Sequence, residues 1–137
     1  MYLLDTNIIS EIRQPKRANP SVLSWTRTVD QNLFFLSVAT VMEVQYGALL
    51  LSRRDKIAGG VFRRWVDDHV LPDFVDRILP ITTDIALVCA ALHVPNRRGE
   101  RDAWIAATAL VHDLTIVTRN VRDFEGTGAK LFNPWGA

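Results

Sequence analysis

Two rhythms of apolar and polar positions alternate along this chain of 137 residues. Short runs with little polar interruption recur at YLL near the start, LFFLS (33–37), ILPI (78–81), TIVT (115–118) and KLF (130–132). Each has the length and character of a strand buried on both faces. Between them, apolar residues fall three and four apart in NIISEIR, NPSVLSWTRTV, VATVMEVQYGALLL, RRDKIAGGVFRRWVDDHVL, TTDIALVCAALHV and DAWIAATALVHD. That spacing predicts helices, the fourth long, amphipathic and weakened at Gly59 and Gly60. The segments QPKRANP and NRRGER read as polar loops. Strands separated by helices pair in parallel and are covered on both faces, so the pattern predicts an α/β fold of three layers, α/β/α.

Composition narrows this picture. The chain is long enough to bury one core, which gives a single domain over 1–137. Hydrophobic residues make up 48% and charged residues 23%, an ordinary globular mix. Lys and Arg number 16 against 15 Asp and Glu, so contact with nucleic acid must come from local patches rather than from a general basic field. One cysteine, Cys89, sits at helical spacing with Ile85, Val88 and Leu92 and reads as core. Without a disulfide, a signal peptide or roughly 18 consecutive apolar residues, the sequence reads as a cytoplasmic protein with no membrane span.

The candidate chemistry lies in carboxylates placed where a core would not put them. Asp5 ends the first strand, the edge at which open parallel sheets bind ligands. Glu43 shares a helix face with Ala39, Met42, Tyr46, Gly47 and Leu50, and no Lys or Arg occurs between Asp30 and Arg53. Burial is expected there, with the positive charge coming from elsewhere. Asp102 opens an apolar, central helix, and Asn120 and Asp123 follow the fourth strand. Singly, each also reads as a helix cap or an ion-pair partner. Together, four acids directed to one edge repel one another, and a divalent cation removes the conflict. Oxygen ligands without a His or Cys cluster suit Mg²⁺ or Mn²⁺. His69, His93 and His112 are scattered, and the four tryptophans read as packing.

The stretches LLDTNIIS, ATVMEVQYG, RDAWIAATAL and IVTRNVRDFEGTG…LFNPW, in this order, resemble the PIN-domain family, in particular the toxins of VapBC-type toxin–antitoxin pairs. The resemblance implies a five-stranded parallel sheet of order 3-2-1-4-5 and an Mg²⁺-dependent endoribonuclease, with Mn²⁺ as substitute, that cuts RNA, transfer RNA first. It further implies a cognate antitoxin, a homodimer and a larger assembly with that antitoxin. Asp5, Glu43 and Asp102 match the family's metal-binding acids, Asp123 a further catalytic acid, and Thr6 and Asn120 supporting positions. Asn120 stands where many members carry Asp. Arg97, Arg98, Arg101 and Arg119 are the expected substrate contacts. The alternatives are an RNA-processing nuclease of the same family that is not a toxin, or a module that binds RNA or protein without cutting. Ile8, Ile9, Ile12, Val22, Leu23 and Trp25 exceed what one sheet face needs. The surplus predicts an antitoxin groove shared with Ile57, Val61 and Trp65.

Overall fold

The computed structural model describes residues 1–136. Its five strands are β1 (Tyr2–Leu4), β2 (Phe34–Ser37), β3 (Ile78–Leu79), β4 (Thr115–Val117) and β5 (Lys130–Phe132). All pair in parallel in the order β3-β2-β1-β4-β5, as expected. Side chains alternate across the central strand: Leu4 joins one cluster with Ile8, Ile9, Phe34, Leu36 and Val117, whereas Leu3 joins Ile105, Ala106, Ile116 and Phe124 on the other face. Both faces are therefore covered. Full burial of a Leu, Ile or Phe side chain contributes about 1.5–3 kcal/mol, and these residues are essentially inaccessible or nearly so.

The first face is covered by α1 (Thr6–Ile12), α2 (Pro20–Thr28), α3 (Val38–Arg54) and α4 (Lys56–Trp65). Asn19 starts α2 by accepting from the Ser21 and Val22 amides, with Pro20 preset for the first turn. Trp25 is wedged among Tyr2, Phe34 and Phe132, with ring centroids 5.1–5.4 Å apart. Across the sheet, α6 (Thr83–Leu92) and α7 (Glu100–His112) pack closely through Ala103 and Ala107 against Ile85 and Cys89. Cys89 is core, as expected, and burial raises its thiol pKa. No helix among the described residues is long and apolar enough to cross a membrane.

Three expectations change. The long fourth helix is broken, and not at its glycines. Asp55 is extended (φ −150°) and caps α4 through the Ala58 amide, which separates α4 from α3. Gly59 instead lets α4 fold back on α3, because a Cβ there would collide with Ser52. Beyond Trp65 the helix continues as a π-helical turn, Val66–Val70, into the short α5 (Leu71–Asp73). The predicted surface groove is met only in part. Ile8, Ile9 and Val22 are fully buried, and Ile57 and Val61 are exposed. An apolar groove of about 420 Å³ runs between α1, α2 and the α5 turn, lined by Ile12, Leu23, Val29, Phe34 and Phe74, and a second, of about 240 Å³, is lined by the expected Ile9, Ile12 and Trp65 with Val70 and Phe74. Third, the buried stripe of α3 is Ala39, Thr40, Val44 and Ala48; Met42, Tyr46 and Leu50 are about half exposed.

Candidate active site

Parallel pairing places the residues that follow β1 and β4 side by side. The Asp5 amide donates to the Val117 carbonyl (3.0 Å), and Thr118 comes next in the chain. Asp5 is the N-cap of α1, with Oδ1 accepting from the Thr6 amide at 2.8 Å. Its Oδ2 accepts from the Thr118 hydroxyl, also at 2.8 Å. The capping role and the site role thus fall to different oxygens of one carboxylate. Thr118 has one proton and two lone pairs, and all are used. The proton goes to Asp5, while Asn7 Nδ2 (3.2 Å) and the Asn120 amide (3.0 Å) donate to the oxygen.

Glu43 reaches the same place from α3. Its Oε1 accepts from Thr6 Oγ1 at 2.7 Å and its Oε2 from Arg101 Nη1 at 2.8 Å. The positive charge missing from its own helix comes from α7, and with 24% of its side chain exposed Glu43 is less buried than the sequence suggested. Asp102 is the third residue of α7, whose N-cap is Gly99. A side chain at Gly99 would come within 3.2 Å of Asp102 Oδ2. Asp123 sits exposed on a 3₁₀ turn, Val121–Phe124, held to the core by Phe124. Asn120 precedes this turn without capping it through its side chain.

Asp5, Glu43, Asp102 and Asp123 line one cavity of about 460 Å³ together with Thr6, Asn7, Asn120, Arg119 and Trp135. Among the described residues, neither Asp5 nor Asp102 forms an ion pair. Burial, opposed mainly by the Thr118 hydrogen bond, raises the pKa of Asp5. Burial, followed by the charges of Asp123, Asp5 and Glu43, raises that of Asp102 to about 6. The lining supplies oxygen donors and no His or Cys, a set that suits a hard divalent cation. Among the described residues the carboxylates share a cavity without closing into a ready-made cage of three.

The predicted basic contacts separate. Arg119 lines the cavity, its guanidinium 5.7 Å from the Trp135 ring centroid. Arg98 is instead a structural clamp, donating to the carbonyls of Leu92 (3.1 Å) and Glu125 (2.8 Å). Arg101 is bound to Glu43, and Arg97 lies out in solvent, 3.9 Å from Glu100. His93 closes α6 and accepts from the Arg98 amide. Thr118 was missed as a site residue. The available signal was symmetry: TIVT ends on a polar residue one sheet position from the Asp that ends YLLD.

Comparison with known proteins agrees with this fold. Residues 2–130 match the PIN domain family model. The chain is 36% identical to toxin FitB of Neisseria gonorrhoeae, covering 98% of this chain and 99% of that one. The crystal structure of FitAcB from the same organism superposes with a TM-score of 0.89 over the full length of both chains, at 34% identity. A VapC ribonuclease, Y4jK, of Sinorhizobium fredii is 32% identical over 98% of each chain. A toxin-antitoxin complex from Klebsiella pneumoniae superposes with a TM-score of 0.67 over the full length of both chains, at 27% identity. With its sheet order, its acidic cavity at the ends of β1 and β4 and these relatives, the chain belongs to the PIN-domain family.

Proposed function

We propose that this PIN-domain protein is a metal-dependent endoribonuclease, the toxin of a type II toxin–antitoxin pair, that cleaves RNA by attack of water on a phosphodiester. The observation that carries the reading is the pair Asp5 and Asp102, two carboxylates on one cavity with raised pKa and no ion-pair partner among the described residues. Mg²⁺, or Mn²⁺ in its place, would be held by Asp5 and Asp102 with Glu43 at the margin of the shell. Such an ion lowers the pKa of a bound water and offsets the charge that builds on the phosphate.

The chain's own residues supply the setting. Thr118 fixes the orientation of Asp5, and Thr6 holds Glu43. Arg119 offers a cation to the RNA backbone at the cavity wall, and Asp123 stands at the rim. Transfer RNA is the proposed substrate, in the cytoplasm. The antitoxin is proposed to lay an amphipathic helix in the groove lined by Ile12, Leu23 and Phe74, in an assembly with at least two copies of each protein. The test is cleavage of a total-RNA pool that includes transfer RNA. Activity should appear with Mg²⁺ or Mn²⁺, vanish with chelator and be absent from Asp5→Asn. Full cleavage in excess chelator would overturn the reading.

A further inference from the structure

Both oxygens of Glu43 are engaged. Thr6, on the helix next to it, donates to Oε1, and Arg101, from α7, donates to Oε2. Arg101 precedes Asp102, so one turn of α7 presents a cation to Glu43 and an acid to the cavity. The Arg101 guanidinium lies 5.9 Å from the Tyr46 ring centroid, and its side chain is 47% exposed. Thr6 is fixed by the start of α1, whereas Arg101 is a long, flexible side chain with water on one side. Of Glu43's two partners, Arg101 is the one that can leave.

We propose that Arg101 is a tethered counter-ion that competes with the divalent cation for Glu43. Paired with Glu43 at 2.8 Å, it offsets the charge of that carboxylate and so reduces what Glu43 offers a cation. A cation that recruits Glu43 competes with the guanidinium for the charge of the same carboxylate, so the Arg101–Glu43 pair weakens metal affinity and raises the concentration at which the site fills. Removing Arg101 exposes Glu43 to the cation and tightens binding, the reverse of what loss of a supporting residue does. This inference rests on the reading of the cavity as a divalent-cation site.

The test uses the full chain without RNA. Calorimetric titration with Mg²⁺ compares the wild type with Arg101→Gln, Arg101→Lys and Arg119→Gln. Arg119→Gln removes one positive charge from the cavity lining without touching Glu43, and so measures the generic effect of charge. Arg101→Gln should tighten Mg²⁺ binding roughly 5-fold or more, within the usual range for coupled sites. Arg119→Gln should tighten it clearly less, and Arg101→Lys should stay near the wild type. Independently, the side-chain nitrogen resonances of Arg101 in the wild type should shift on Mg²⁺ addition as the guanidinium is released. Equal effects of Arg101→Gln and Arg119→Gln, weaker binding in Arg101→Gln, or an Arg101 signal unmoved at Mg²⁺ saturation would each overturn the competition and leave the metal site standing. No Mg²⁺ binding to any of the four proteins would instead remove the metal site, and the competition with it.

Discussion

The cavity has two walls made of the same chemical group in opposite electrostatic circumstances. On the inner wall, Asp5 and Asp102 are raised in pKa by burial and by neighbouring acids, only partly offset at Asp102 by the charge of Arg101, and neither forms an ion pair among the described residues. On the outer wall, Glu43 has Arg101 and Asp123 has water. The protein resolves the outer charges itself and leaves the inner ones unresolved. Because a buried carboxylate is costly unless neutralised, the inner wall is where the proposed cation would bring positive charge.

This contrast is broken most severely by neutralising the inner wall. Asp5→Asn or Asp102→Asn should lower RNA cleavage by on the order of 10²–10³-fold, the scale of losing one preorganised electrostatic contact. The melting temperature in chelator should stay level or rise, because a repelling charge is gone. Loss of folding together with activity would assign these acids to structure instead. Thr118→Val keeps shape and removes the proton given to Asp5. It should weaken Mg²⁺ affinity about 10–100-fold, the usual effect of a residue that orients a ligand, and Thr118→Ser should restore it.

A smaller effect comes with pH. The folded pKa of Asp102 lies above its ordinary value, at about 6 against 3.8, so the folded state binds the proton more tightly than the unfolded one. Its contribution to stability is present below 3.8 and is lost as pH rises towards about 6. In chelator, Asp102→Asn should therefore melt close to the wild type near the acid end of that window and above it at neutral pH. A melting difference that does not change with pH would contradict this. Mildest is Asp123→Asn on the outer wall, expected to reduce cleavage only a few-fold, on the order of 1 kcal/mol or less for an exposed charge. A complete loss there would show that the outer wall belongs to the reacting centre.

Much of this was legible in the sequence because it is local. Unbroken apolar runs mark the five strands, and an acid directly after YLL marks the sheet edge. What escaped is non-local. Arg101 and Glu43 are 58 positions apart, and nothing in either helix alone predicts that they meet. The same distance effect hid the tie from Arg98 to the Glu125 carbonyl, 27 positions away. Exposure of Met42 and Tyr46 escaped for a different reason. A helix with apolar residues on more than one face does not state which face the core takes, and α3 chose Val44 and Ala48. The break at Asp55 was available as capping chemistry, a signal masked by the more conspicuous pair of glycines.

The pairing of β1 with β4, in which Leu4 lies opposite Val117, gives the site a dependence on folding fidelity. Because side chains alternate across a sheet, a slip of one residue turns a strand's faces over. It would withdraw the Thr118 hydroxyl from Asp5 and set Val117 or Arg119 in its place. A chain misaligned by about 3.3 Å, the rise of one strand residue, would thus lose both its packing and the Thr118–Asp5 contact in one event. Proofreading of the sheet and arming of the nuclease are, in this molecule, the same alignment.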